Sequence, residues 1–290
     1  MTTFEMIKYH NKKYPADIPL HIEEIAAHFD IKSIGGSLEK SIHTEYSYGK
    51  RKWDSSLIKY YTEIVAAQRN GIPQLWKNET WSSQFADYLI NIIGDGSAPK
   101  VIEVHPPFSD YTNISSFIKN YSLFEKRITD RFPSVQILIE NRFGSRYVKK
   151  GCEFILSKNN DIRLLCDEIS RSNLGLRIAY DVPQIYTAYN AKTEEEFITL
   201  LEEAKSFREF IGGVHLWGKR ISPKGRKVSH CGDLNSYFLG DTVIKSHFLK
   251  SFRDCFDDGV VRKMVLEVNS RNEDLESIIN DLTGVGINFV

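Results

Sequence analysis

Carboxylates and histidines that each end a short apolar run are the residues of this 290-residue chain best suited to chemistry. The clearest four are Glu140, Asp181, His215 and Glu267. Burying an isolated charge is costly, so residues of this kind are expected to share a cation. Three carboxylates and one imidazole form a suitable donor set for Zn²⁺, Mn²⁺ or a similar ion. We therefore predict a divalent metal site with these four residues as ligands.

The runs that carry these residues have the length and β-branched content of strands buried in a parallel sheet. They are Val101–His105, Val135–Glu140, Leu176–Asp181, Ile211–His215 and Met264–Glu267. Between them, apolar residues recur at helical spacing over residues 113–129, 194–210 and 274–282. Strands that alternate with helices predict βαβ units. Because barrel active sites lie at the C-terminal ends of such strands, the predicted ligands fall where a (β/α)8 barrel, or TIM barrel, places its chemistry.

The first 99 residues carry weaker signals. Candidate strands there are Ile31–Ile34, Ile72–Trp76 and, less clearly, Ile18–Ile22. Whether this segment supplies two or three barrel strands depends on whether the terminal run Ile287–Val290 closes the barrel. We predict a single domain over residues 1–290, with less defined barrel units in residues 1–99 and the motif-bearing strands in residues 100–290.

Composition narrows the range of partners and compartments. Lys plus Arg and Asp plus Glu number 38 each, so the net charge is zero and gives no global attraction to nucleic acid or to an anionic membrane. None of the four cysteines forms a CxxC pair, which favours reduced thiols in a cytoplasmic protein. The N-terminus lacks the apolar core of a signal peptide, and no apolar run is long enough to span a membrane.

Short motifs around the predicted ligands resemble those of the xylose isomerase-like barrel superfamily. The E-N-x-x-G motif is resembled by Glu140-Asn141 with Gly144, and a strand-terminal aspartate by Asp181. The H-L-N-D-x-K motif is resembled by His215-Leu216 with Lys219 and Arg220, and the L-E-T motif by Leu266-Glu267. This superfamily includes sugar isomerases and epimerases and the endonuclease IV family of apurinic-site endonucleases. The resemblance covers residues 100–270 and implies a barrel that binds a divalent metal.

Two further histidines resemble ligands of the nuclease branch. His105, in V-H-P-P-F, resembles a strand-end histidine that binds a second metal, and His230 resembles the histidine of a D-x-H motif that serves a third. His43 is a weak candidate for an earlier metal-binding histidine of that branch. We expect both His105 and His230 to face the barrel mouth near the metal.

The chain also departs from the nuclease pattern at two positions. Val228 replaces the aspartate of the D-x-H motif, and Gln184 replaces the histidine of a D-x-x-H motif that begins at Asp181. A third metal position would therefore lack two of its three ligands. The resemblance implies one complete metal position and a second, incomplete one formed by Glu140 and His105.

A basic segment follows the His215 strand, where it is expected to lie over the barrel mouth. Its candidate phosphate-binding residues are Lys219, Arg220, Arg226 and Lys227. Arginine binds phosphate through two parallel hydrogen bonds and lysine acts as a point charge, so the segment is a candidate anion clamp. Trp217, just before it, is a candidate surface for stacking on a sugar or a base.

Two enzyme functions fit these residues, with Glu140, Glu267 and His105 as candidate catalytic groups. The first is an endonuclease IV-like hydrolase in which metal-activated water attacks a phosphodiester or a phosphorylated substrate. The alternative is a sugar or sugar-phosphate isomerase or epimerase, in which Glu140 and Glu267 transfer a proton on a single metal. The expected partner is accordingly a sugar phosphate or a nucleic acid, and not a membrane. A barrel that only binds ligands is a third possibility, and the oligomeric state is left open.

Overall fold

The computed structural model describes residues 1–47, 49–50, 59–143 and 153–290. The strands are β1 (Thr3–Lys8), β2 (Ile22–Ala27), β3 (Glu39–Thr44), β4 (Gln68–Arg69), β5 (Ile72–Pro73), β6 (Val101–Val104), β7 (Gln136–Glu140), β8 (Arg177–Asp181), β9 (Ile211–Leu216), β10 (Lys219–Ile221), β11 (Lys227–Ser229), β12 (Arg262–Leu266) and β13 (Asn288–Phe289). The α-helices are α1 (Thr62–Ala66), α2 (Glu79–Ile93), α3 (Ile114–Arg131), α4 (Asn159–Ser172), α5 (Val182–Ala188), α6 (Glu194–Ala204), α7 (Leu234–Tyr237), α8 (Thr242–Cys255) and α9 (Asn272–Gly284). A 3₁₀ helix, Lys205–Phe210, follows α6.

Eight parallel strands form a (β/α)8 barrel, which confirms the predicted fold class; among the described residues, helices follow every one of these strands except β1 and β2. The eight strands are β1, β2, β3, β6, β7, β8, β9 and β12. Three of them precede residue 100, and β13 pairs with β1 outside this set of eight. The strands predicted from residue 100 onward and the helices predicted between them are confirmed within a few residues.

The N-terminal strand predictions were mostly wrong. Ile31–Ile34 has no regular structure, Ile72–Trp76 contributes only β5 in a short antiparallel pair with β4, and Ile18–Ile22 overlaps β2 by one residue. The barrel strands β1 and β3 were not predicted. They carry charged or polar residues at alternate positions, such as Glu5 in β1, and do not read as continuous apolar runs.

Residue contacts divide the chain into two compact units. The terminal unit comprises residues 1–23 and 180–290, and the middle unit comprises residues 24–179. In the terminal unit, β12 lies between β1 and β9, with Met264 opposite both Met6 and Val214. The Phe4 ring packs against the rings of Phe252 and Phe256, so α8 is attached to β1 through aromatic contacts.

The middle unit contains the parallel series β3, β6, β7 and β8. The register places Ile42 opposite Ile102, and Ile102 opposite Ile137. Because side chains alternate along a strand, Glu103 and His105 point to the same face, which is opposite to that of Ile102. Trp76 packs against Phe85 of α2 and Phe124 of α3, and so fixes both helices beside this sheet.

Gly144, which belongs to the segment that resembles E-N-x-x-G, and Cys152, one of the four cysteines, lie outside the described residues. Within the described part of the chain, no helix combines the length and apolar character needed to cross a membrane.

Candidate metal centre

Two histidines and a glutamate converge in the middle unit. His43 lies in β3, His105 follows β6 and Glu140 ends β7. The Nε2 atom of His105 is 2.9 Å from Nε2 of His43 and 2.8 Å from Oε2 of Glu140. Ligand atoms around one tetrahedral zinc ion are about 3.3 Å apart, because Zn–N bonds are about 2.0 Å long. The three side chains are therefore spaced closely enough to share one cation.

The hydrogen bonds of His105 show why a positive charge belongs at this point. Its Nδ1 atom is 3.1 Å from the backbone carbonyl oxygen of Glu45, which can only accept, so Nδ1 carries the proton. The lone pair of Nε2 then points at the Glu140 carboxylate. An imidazole lone pair and a carboxylate oxygen at 2.8 Å repel each other unless a proton or a metal ion lies between them. The donor set therefore fits a divalent ion.

His43 is surrounded by carboxylates on its other side. Its Nδ1 atom is 3.5 Å from Oε1 of Glu24 and 3.7 Å from Oε1 of Glu103, and both carboxylates are buried. Burial lowers the pKa of His43, but the charges of Glu24, Glu103 and Glu140 and the Glu24 hydrogen bond outweigh it and raise the pKa to about 10. Carboxylates that accept the Nδ1 proton also orient Nε2 toward His105, as is usual for metal-binding histidines.

Arg142 adds a fixed cation at the edge of this group. Its Nη1 atom is 3.2 Å from Oε2 of Glu140, and its guanidinium lies 5.0 Å from the centroid of the Tyr46 ring. Burial lowers the pKa of His105 to about 3, and the charges of His43 and Arg142 contribute to this lowering. His105 is thus held neutral, which is the form that binds metals.

A second group of side chains lies in the terminal unit around Glu267. Oε1 of this carboxylate is 3.5 Å from Nδ1 of His215, and Oε2 is 3.1 Å from Nδ1 of His230. Burial would raise the pKa of Glu267, but hydrogen bonds from His215 and His230 hold it well below its usual range. The ligand atoms of Asp181 and His215 lie within 4.8 Å of each other. Asp181, His215 and Glu267, all predicted ligands, are therefore brought together.

Trp217 connects the members of this second group. Its indole Nε1 donates to Oδ2 of Asp181 at 3.0 Å, and its ring stacks on the His230 ring at 4.3 Å between centroids. Oδ1 of Asp181 accepts from the backbone N–H of Gln184, because Asp181 is also the N-cap of α5. Trp217 was a candidate surface for stacking on a sugar or a base. Only 2% of the side chain is exposed, so in this structure the indole contacts protein groups instead.

The backbone around His230 is shaped to bring its ring onto Trp217. His230 has a φ of 54°, in the left-handed region that non-glycine residues seldom adopt. Its carbonyl accepts from Asn269 N–H, while the following residue, Cys231, donates its N–H to the carbonyl of Gly218. Strained backbone of this kind persists where surrounding contacts fix it, as at functional sites.

The predicted basic segment contains an antiparallel hairpin of β10 and β11. At the base of the hairpin, the backbone at Gly218 closely approaches the backbone at Gly232. A Cβ atom on Gly218 would lie 2.1 Å from the Gly232 carbonyl oxygen, so only glycine fits there. Arg220 forms an ion pair with Asp274, and the Lys219 amino group lies 5.2 Å from the Tyr237 ring centroid.

The remaining cations of the hairpin are on the surface. Arg226 and Lys227 are exposed, as is Val228, which replaces the aspartate of the D-x-H motif. Val228 offers no ligand atom, and His230 contacts Glu267. Val228 therefore supplies no ligand to the third metal position of the nuclease pattern.

Sequence reasoning did not identify several charged residues of the middle-unit group. Glu24, Glu103 and Arg142 were not proposed, and His43 was only a weak candidate. The available signal was strand periodicity: Glu103 is two residues before His105 and so shares its face. His43 lies in Glu39–Thr44, whose polar composition hid the strand.

Comparison with known proteins identifies the fold. No protein-family model and no curated protein sequence matches the chain. The crystal structure of an AP endonuclease, family 2, from Brucella melitensis is similar over 95% of this chain and 97% of that one, with a TM-score of 0.50 and 10% sequence identity. The chain shares the (β/α)8 barrel fold of that protein.

Two glycosidases are also similar, at a greater distance. The GH53 catalytic domain from Ignisphaera aggregans has a TM-score of 0.42 at 10% identity, over 85% of this chain and 74% of that one. A family 1 β-glucosidase from Thermotoga maritima has a TM-score of 0.41 at 10% identity, over 86% and 74%. These scores are too low to support an argument about function.

Proposed function

We propose that this protein is a divalent-metal-dependent hydrolase of the endonuclease IV type, which cleaves a phosphodiester or a phosphorylated substrate. The observation that carries the proposal is the convergence of His43 Nε2, His105 Nε2 and Glu140 Oε2 in the middle unit. The Nδ1 atoms of both histidines face oxygen acceptors, so the Nε2 atoms are oriented to bind a cation. Two imidazoles and a carboxylate suit Zn²⁺ well.

We further propose that Asp181, His215 and Glu267 are ligands of an ion in the terminal unit, as their strand-end positions predict, while Glu140, the fourth predicted ligand, binds the ion of the middle unit. These residues end β7 and β8, lie in β9 and follow β12. In a (β/α)8 barrel the C-terminal ends of the strands form the active-site face. A divalent ion supplies polarised water for attack on phosphorus and stabilises the negative charge that develops there.

The chain's own residues have defined roles in this proposal. His105 and His43 hold the first ion, and Glu24 and Glu103 orient His43. Glu267, between two histidines, keeps its negative charge because both hydrogen-bond to it. Its low pKa makes it available as a ligand rather than as a proton donor near neutral pH.

The basic hairpin is the proposed phosphate-binding element. Lys219, Arg226 and Lys227 provide positive charge there, while Arg220 is engaged by Asp274. Burial lowers the pKa of Lys219, and nearby Lys227 adds to this effect. The similar Brucella melitensis protein is an AP endonuclease, which supports testing an abasic-site nucleic acid first. Zero net charge favours local recognition of a phosphate over a broad electrostatic interface.

The alternative is a sugar or sugar-phosphate isomerase or epimerase in which Glu140 and Glu267 exchange a proton with the substrate. That chemistry needs only one ion. The His43 and His105 pair supports a second ion position, so the geometry favours the hydrolase. A neutral sugar substrate would also make no use of the basic hairpin.

Two assays and one elemental analysis test the proposal. We expect the purified protein to contain a divalent ion, Zn²⁺ or Mn²⁺, at more than one per chain, with His105→Ala losing part of it and retaining the rest. We expect a metal-supplemented sample to cleave an abasic-site oligonucleotide or a simpler phosphodiester, and Glu140→Gln to abolish the cleavage.

The controls separate the two enzyme classes. Solvent deuterium incorporation into a panel of ketoses, lost in Glu140→Gln and Glu267→Gln, would instead establish the isomerase. Cleavage that survives loss of the metal ligands would indicate a contaminating nuclease. A metal-free protein whose melting temperature is unaffected by Zn²⁺ and Mn²⁺ would contradict both classes.

A further inference from the structure

The positive charge of Arg142 lies beside side chains that are proposed to bind a metal ion, so its role at this position needs an explanation. It lies two residues after Glu140, and its Nη1 atom is 3.2 Å from Oε2 of that carboxylate. The same oxygen is 2.8 Å from Nε2 of His105. A metal ion and the guanidinium therefore compete for one carboxylate oxygen. Their like charges repel, so an arginine kept only to stabilise the metal site would act against it.

A ligand with negative charge resolves this conflict. An anion placed between a divalent ion and a guanidinium is attracted by both and screens their mutual repulsion. Metal ions and arginines together clamp the charge of transferring phosphoryl groups in this manner. Arg142 suits that task because a guanidinium presents a planar fork of N–H donors that matches two phosphate oxygens.

The neighbourhood of Arg142 also fixes its position independently of Glu140. The guanidinium lies 5.0 Å from the Tyr46 ring centroid, a favourable cation–π distance. The Tyr46 ring is in turn packed edge-on against His105 and His28, at 5.6 Å and 5.0 Å between centroids. Arg142 keeps this support when Glu140 turns toward a metal, and 14% of its side chain is exposed to solvent.

We propose that Arg142 is an anion-binding residue that holds a phosphoryl or phosphodiester oxygen of the substrate next to the ion bound by His43, His105 and Glu140. This inference rests on the proposed function for the identity of the site, and it assigns the substrate class: an anion that contacts metal and arginine together. Metal and anion binding should then reinforce each other, as two linked ligands do.

The test is calorimetric titration of inorganic phosphate into protein that has been loaded with Zn²⁺ and dialysed free of excess ion. We expect Arg142→Met to weaken phosphate binding at least tenfold, which corresponds to about 1.4 kcal/mol. Arg142→Lys should retain part of the affinity, because it keeps the charge and loses the fork. Arg127→Gln is the matched control, since Arg127 pairs with Asp87 on the exterior of the same unit.

Titration of Zn²⁺ into the same variants separates this role from a structural one. Arg142→Met should bind Zn²⁺ as tightly as the unmodified protein or more tightly, because a competing cation is gone. Weaker Zn²⁺ binding together with unchanged phosphate binding would overturn the proposal. If Arg142→Met fails to fold, as judged by its melting curve, unchanged phosphate affinity in Arg142→Lys would overturn it equally.

Failure of the proposed function can be recognised in the same experiment. If the unmodified protein binds no Zn²⁺, the metal-dependent hydrolase is wrong, whatever Arg142 does. Phosphate binding by that protein that is lost in Arg142→Met would still support an anion site at Arg142. Phosphate binding that all variants share would overturn it.

Discussion

The middle and terminal units hold their candidate ligands in different ways. In the middle unit, ionised groups surround the two histidines: Glu24 and Glu103 face His43, and Arg142 contacts Glu140. In the terminal unit, the neutral indole of Trp217 hydrogen-bonds Asp181 and stacks on His230. The pKa of His43 in the middle unit is raised, whereas the pKa of Glu267 in the terminal unit is lowered. The two groups should therefore fail under different conditions, although both use histidine and carboxylate ligands.

The largest expected effect is loss of metal from Glu267→Gln. This carboxylate contacts both His215 and His230, and a neutral amide cannot balance a divalent ion. We expect affinity for the ion of the terminal unit to fall by more than about 100-fold, since even residues that only orient ligands contribute roughly 10–100-fold. Elemental analysis of the dialysed variant measures the loss. Glu273→Gln, in the first turn of α9, is the control, and full metal content in Glu267→Gln would remove this residue from the ligand set.

Trp217→Phe should have the next largest effect. It removes the N–H that holds Oδ2 of Asp181 and keeps an aromatic ring for His230 to stack on. We expect metal affinity to fall by roughly 10–100-fold, the usual effect of losing a group that orients a ligand.

Trp81→Phe is the matched control for Trp217→Phe. Trp81 is also fully buried, and its Nε1 atom has no hydrogen-bond partner among the described residues. Both variants lose similar packing, so their melting temperatures should fall together while only Trp217→Phe loses metal affinity. Equal metal binding by the two variants would assign Trp217 a packing role alone.

These comparisons also show what the amino-acid sequence can and cannot predict. Strands β6 to β9 and β12 are buried on both faces and form apolar runs, so their ends at Glu140, Asp181 and His215 could be located. Strands β1 and β3 alternate polar and apolar residues, and the β3 residue His43 was therefore hard to assign. A tertiary contact such as Arg142 with Tyr46, or Trp217 with His230, leaves no periodic signal.

The middle unit should lose stability at alkaline pH, whereas the lowered pKa of Glu267 makes the terminal unit lose stability only in acid. Nearby carboxylates raise the pKa of His43 to about 10, above its ordinary 6.5. A raised histidine pKa stabilises the folded protein below the unfolded pKa, and this stability is lost as pH rises through about 10. Glu24→Gln removes the carboxylate with the largest effect on His43, so metal-free Glu24→Gln should be less stable at pH 6 and approach the unmodified protein near pH 10.

Urea unfolding in EDTA across this pH range measures the difference for Glu24→Gln. Each unit by which the substitution lowers the pKa of His43 removes about 1.4 kcal/mol of stability at pH 6. Glu39→Gln, an exposed partner of Lys100 at the start of β3, should show no such trend. A stability difference that is constant from pH 6 to pH 10 would mean that Glu24 does not act through the charge of His43.

The smallest expected effect belongs to the hairpin, where the charges are exposed and screened by salt. Arg226 and Lys227 lie on its surface, whereas Arg220 is tied to Asp274. We expect Arg226→Gln with Lys227→Gln to weaken binding of an abasic-site oligonucleotide severalfold at low salt and to flatten its salt dependence. Each phosphate that the hairpin no longer neutralises should reduce the slope of log K against log salt by about 0.9 on duplex DNA.

Fluorescence anisotropy at several salt concentrations measures both the affinity and its salt dependence. The control is Lys126→Gln, in the exposed Lys126–Asp130 pair of α3. An unchanged slope would show that the hairpin does not bind phosphate, and recognition of the anion would then depend on Arg142 and the ion beside it in the middle unit.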